Sequence, residues 1–102
     1  MHAVISQKRD EISRICKEHH VRKLEVFGSA ARGIDFDPEK SDADFLVEFE
    51  PETLRRFDAY FDVKEALEEL LQRSVDLVEP DALKNPFVIA SINRNREVVY
   101  AA

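Results

Sequence analysis

Residues 23–49 read KLEVFGSAARGIDFDPEKSDADFLVEF, and this stretch decides the fold. Lys23 to Phe27 alternates polar with apolar side chains and stops at Gly28, the pattern of a strand ended by a turn. Ser29 to Arg32 is short and alanine-rich, one helical turn or little more before Gly33, and Asp35 to Lys40 with Pro38 reads as a polar loop. A second strand then runs from Asp42 to Phe49 and is closed by Pro51. The segment from Gly33 to Ser41 is too short for a helical crossover, so the two strands are expected to pair antiparallel, as a hairpin-like unit.

Outward from this pair, helix and strand patterns alternate. Ile5, Ile12, Ile15 and Cys16 form a helical stripe between Ala3 and about His19. Leu54, Phe57, Tyr60, Phe61, Leu67, Leu70 and Leu71 recur at helical spacing over 54–71, with the start undecided between a Thr53 cap and Asp58. Val75 to Val78 is a third strand stopped by Pro80. Asn85-Pro86 is a cap followed by proline at the first helical position, opening a short helix through Ile92, and Glu97 to Tyr100 is a terminal strand. The long helix between strands two and three permits a parallel connection. The expected fold class is α/β, a mixed sheet of about four strands with helices packed on it, and residues 1–102 are expected to form one domain.

Composition narrows the partners. Asp plus Glu number 21 against 15 Lys plus Arg, a formal net charge of -6 with no basic run, so nucleic acid is not expected as the main partner. The single cysteine, Cys16, has no internal disulfide partner, no Cys/His zinc spacing is present, and no window approaches the ~20 apolar residues of a membrane span. With no apolar signal core near the N-terminus, a cytoplasmic protein is the expectation.

The chemistry concentrates in three places. Asp42 and Asp44 are alternate residues of one strand and point to the same face. Carboxylates held together repel unless a cation lies between them, and their hard oxygens suit Mg²⁺ or Mn²⁺. Asp76 is an acid inside the apolar strand Val75-Asp76-Leu77-Val78, where burial without a partner is costly, and if that strand lies beside the second, three acids meet at one edge. Gly28-Ser29 adds a turn where backbone can approach a ligand, a Ser29 hydroxyl and free N–H groups that favour phosphate, and Arg32 lies one turn on. Taken singly, a Gly-Ser turn or an Asp-x-Asp pair is ordinary surface chemistry; their sequence along the chain is what solubility alone does not explain.

Gly28-Ser29-Ala30-Ala31-Arg32-Gly33, Ser41-Asp42-Ala43-Asp44-Phe45-Leu46-Val47 and Val75-Asp76-Leu77-Val78 together resemble the signature of the minimal nucleotidyltransferases (MNT) of the DNA polymerase beta superfamily, over roughly residues 20–100. The resemblance implies a polymerase-beta-like nucleotidyltransferase fold, with Gly28 and Ser29 holding the triphosphate of ATP, Asp42 and Asp44 binding two Mg²⁺ ions, Asp76 completing the catalytic metal site, and Arg32 in a less settled role. It implies attack of an acceptor hydroxyl on the α-phosphorus with release of pyrophosphate, Asp76 also being able to take the hydroxyl proton. Larger relatives carry an added acceptor-binding domain for which this chain has no room, so a second protein is expected to bring the acceptor. By the same resemblance that partner is a HEPN-domain toxin, modified with AMP on a tyrosine in a hetero-oligomer, and this chain is the antitoxin. The competing expectation is an antitoxin that neutralises its partner by docking alone.

Other residues read as structural. His19-His20 is expected to sit at a helix C-terminus, Cys16 in the core, Arg55-Arg56 on a solvated helix face, Asp35 and Asp37 in a turn, and Phe57, Tyr60 and Phe61 in the core.

Overall fold

The computed structural model describes residues 2–28 and 42–102. Two N-terminal helices, α1 (Ala3–Ser6) and α2 (Arg9–Glu18), stand where one was expected, because the chain turns at Gln7 and Lys8. Ile5, Ile12 and Cys16 of the anticipated stripe are nonetheless all fully buried. His19 follows α2, and its backbone N–H and its Nδ1–H both donate to the Ile15 carbonyl, at 3.2 and 2.8 Å, closing the helix end.

Strand β1 (Val21–Phe27) pairs antiparallel with β2 (Ala43–Phe49), Val26 opposite Phe45 and Phe27 opposite Asp44. Helix α3 (Arg56–Leu71) then crosses to β3 (Val75–Val78), which lies parallel to β2. A 3-10 turn (Pro80–Ala82), helix α4 (Pro86–Asn95) and β4 (Glu97–Ala101) complete the chain, giving a four-stranded mixed sheet in the order β3-β2-β1-β4. The Asn85 side chain accepts from the Phe87 N–H at 2.9 Å, so the anticipated cap with Pro86 at the first helical position is present.

The alternation of β1 and β2 sorts the two faces of the sheet. Leu24, Val26, Ala43, Phe45, Val47 and Phe49 point to one side and pack with α1, α2 and α3 in the main hydrophobic cluster. From β3, Val75 and Leu77 join them, and from β4, Val99. The stripe that α3 contributes is Ala59, Val63, Leu67 and Leu71, a strict four-residue repeat. This corrects the sequence reading of its aromatics: Phe57 is 76% and Phe61 45% exposed, off that stripe, while the half-buried Tyr60 donates its hydroxyl to the Leu77 carbonyl. The helix also begins later than Leu54, after Arg55 in the left-handed region at φ 55°; Thr53 bonds back to the Glu50 carbonyl at 2.7 Å and does not cap it.

The opposite face carries Glu25, Phe27, Asp44, Leu46 and Asp76, as the strand registers require. It is covered in part by α4, which leans on β1 and buries Ile92. Among the described residues no helix is long and apolar enough to cross a membrane.

Candidate active site

Asp44 and Asp76 are register partners on the parallel strands β2 and β3. Neighbouring strands run about 4.8 Å apart with register partners projecting to the same side, so the two carboxylates stand abreast. They lie on the sheet face opposite the main core, where Asp76 is exposed and Asp44 half-buried. The exposure of Asp76 corrects part of the sequence argument: this acid needs no partner to offset burial, because its strand is covered on one face only. Asp42 is exposed, one residue ahead of β2, at the entrance to the same strand.

Gly28 adjoins Asp44 directly. It ends β1 with φ +69°, a conformation strained for other residues, and a β-carbon placed on it would lie 2.5 Å from Asp44 Oδ2. Its lack of a side chain therefore has a second use besides the turn, which is to leave room for the carboxylate. Ser29 and Arg32, the other phosphate-binding candidates, lie outside the described residues, as do Asp35 and Asp37.

A cavity of about 390 Å³ opens beside these groups. Phe27, Gly28 and Asp44 form one wall, and Phe87, Val88, Ser91 and Ile92 of α4 form the other. The sequence reading gave α4 no part in the site. The available signal was Phe87-Val88-Ile89, three consecutive apolar residues in a first helical turn, more than one buried stripe can use.

Glu25 was also passed over. Only 7% exposed, it pairs with Arg96 at 3.0 Å and with Lys23 at 3.3 Å. Arg96 is the C-terminal boundary of α4, so this pair fastens the end of the helix to β1, two residues from Phe27. Far from the site, the Cys16 thiol is pushed up to about 12 by burial among the apolar side chains of α2, which leaves it protonated and inert at neutral pH.

Among the described residues no three His, Cys, Asp or Glu side chains are gathered closely enough to hold a metal ion unaided. Mg²⁺ does not need such a cage, since it is usually bound by one or two carboxylates and completes its octahedron with water and substrate phosphate. Two abreast carboxylates beside a glycine turn fit that mode.

A model of the nucleotidyltransferase domain matches residues 9–99, nearly the whole chain. The chain belongs to the nucleotidyltransferase family. Two proteins of Methanocaldococcus jannaschii, both provisionally named protein adenylyltransferases, are similar to it: one is 34% identical over 93 residues, covering 83% of this chain and 91% of that protein. The other is 40% identical over 85 residues, covering 80% and 81%. A solved structure described as a provisional minimal nucleotidyltransferase is 32% identical, covers 95% of both chains and superposes with a TM-score of 0.74. The same fold recurs, at 19% identity and a TM-score of 0.68, in a toxin-antitoxin crystal structure with AMP-PNP, covering 92% of this chain and 73% of that one. It recurs again in a complex of tri-AMPylated Shewanella oneidensis HEPN toxin with MNT antitoxin, at 16% identity and a TM-score of 0.64, covering 96% and 73%. This nucleotidyltransferase thus has the polymerase-beta-like mixed sheet that its motifs imply.

Proposed function

We propose that this nucleotidyltransferase moves AMP from ATP to a hydroxyl of a partner protein, a tyrosine of a HEPN toxin, and thereby acts as a cytoplasmic antitoxin. The observation that carries the reading is the Asp44–Asp76 pair standing beside the Gly28 turn. The names of the Methanocaldococcus relatives and the toxin complexes that share the fold support the choice of acceptor.

In this reading Asp44 and Asp76, with Asp42 at the strand entrance, hold Mg²⁺, and Gly28, Ser29 and Arg32 receive the triphosphate. When bound, the metal neutralises phosphate charge and lowers the pKa of the attacking hydroxyl. The acceptor oxygen forms a bond to the α-phosphorus, the bond from that phosphorus to the oxygen bridging the β-phosphate breaks, and pyrophosphate leaves with the electron pair. Asp76, exposed at the edge of the site, is within reach of an incoming acceptor and takes its proton. The chain's own part is mainly positioning: two parallel strands fix the spacing of the carboxylates, and the glycine turn keeps backbone close to the phosphates.

The test is incubation of the purified chain with its HEPN-domain partner and α-labelled ATP in Mg²⁺ or Mn²⁺. Label should appear on the partner, at tyrosine by mass spectrometry, and vanish with Asp44→Asn. A complex that forms yet acquires no label would sink the reading and favour neutralisation by docking alone.

A further inference from the structure

Three consecutive apolar side chains at the start of α4 are left in water: Phe87 is 84% exposed, Val88 43% and Ile89 36%. The helix is already anchored without them, by Ile92 in the interior and by the Arg96–Glu25 pair at its end. Phe87 and Val88, with Ser91 and Ile92 one turn on, make a single side of the helix, and that side is the cavity wall facing Gly28 and Asp44. An aromatic group held in water on the rim of such a cavity is an unused stacking surface.

We infer that this side of α4 is the seat of the nucleotide's base, with Phe87 the side chain that stacks on it and Ser91 the hydroxyl within the pocket. The inference rests on the nucleotidyl-transfer reading above and adds to it the residues that hold the base. Its logic is one of contiguity. A nucleoside triphosphate whose phosphates lie against Gly28 and the carboxylates must place its base one sugar away from the α-phosphorus. The apolar wall of α4 is across the same cavity from Gly28 and Asp44, and it carries no charged side chain that would repel or desolvate badly against a purine.

The experiment is equilibrium titration of ATP and, separately, of inorganic tripolyphosphate, each with Mg²⁺, into the intact chain and its variants. Phe87→Ala should weaken ATP binding about tenfold or more, the size of one base–aromatic stack. Tripolyphosphate, which has no base, should bind within about twofold of its original affinity, and Phe87→Trp should restore ATP binding. Because Phe87 is so exposed, circular dichroism of Phe87→Ala should match that of the parent chain. Unchanged ATP affinity in Phe87→Ala would overturn the inference, as would an equal loss for tripolyphosphate, a loss confined to binding of the partner protein, or failure of the parent chain to bind ATP. Normal ATP binding without transfer to any partner would count against the proposed function and leave the base site standing.

Discussion

Gly28 and Asp44 occupy space that only one of them can fill: a β-carbon on the glycine would sit 2.5 Å from the carboxylate oxygen. Gly28→Ala should therefore displace the Asp44 side chain as well as strain a backbone held at φ +69°. The backbone term is about 1–2 kcal/mol. Nucleotidyl transfer should fall by more than tenfold, well beyond what the loss of stability explains at a temperature where the variant remains folded. Urea unfolding measured beside label transfer separates the two effects, and full activity in Gly28→Ala would mean that the carboxylate can retreat without consequence.

Asp76 is exposed and register-paired with Asp44, so its contribution should lie in chemistry and not in stability. Asp76→Asn should change the unfolding free energy by no more than about 0.5 kcal/mol. Transfer should drop on the order of 100-fold or more, the scale expected when a proton acceptor is removed. A variant that is as active as its parent would remove Asp76 from the mechanism.

Cys16 gives a pH signature unrelated to activity. Its thiol is raised to about 12 in the folded chain, against roughly 8.5 when unfolded. A raised pKa means that the folded state favours the neutral thiol. The associated stability is fully present below the unfolded value and is lost as pH rises from about 9 towards 12. Urea melts at pH 8 and pH 10.5 should show a larger alkaline loss for the parent than for Cys16→Ala, and the native thiol should resist iodoacetamide at pH 8 until the chain unfolds.

The Glu25–Arg96 pair fastens α4 to the sheet. Arg96 is partly open to water, so breaking the pair should cost less than a wholly buried one, about 1–2 kcal/mol. For a chain of this size, Glu25→Gln is expected to lower the melting temperature by roughly 5–10 °C. Adding salt should narrow the gap between variant and parent, and equal melting temperatures would mean that α4 is held by Ile92 without help from the pair.

The antiparallel β1/β2 pair was legible in the sequence, a parallel β3 was permitted by its long connection, and the meeting of the acids of β2 and β3 followed only on the condition that those strands are neighbours. Strand alternation fixes which side chains share a side, and connection length excludes a helical crossover between β1 and β2 while only allowing one between β2 and β3. The uncovered parts were harder to read. Helical spacing shows that Phe57 and Phe61 are near neighbours on a helix, but not that Ala59 and Val63 occupy the stripe facing the sheet. Nor does an apolar strand such as Val75–Val78 reveal that only one of its faces is covered, which is why Asp76 was expected to need a partner. The role of α4 depends on where a helix docks after a loop, and periodicity carries no information about docking.

The parallel pairing of β2 with β3 also has a consequence for how the chain comes to be active. β1 and β2 are consecutive strands that pair directly, whereas Asp76 joins Asp44 only across the connection that contains the sixteen residues of α3. Contacts so distant along the chain form slowly, because the entropy of closing the intervening loop must be met first. A nascent chain that has folded only its hairpin holds one member of the carboxylate pair. The carboxylate pair proposed here to hold the metal is therefore complete only once β3 has joined β2.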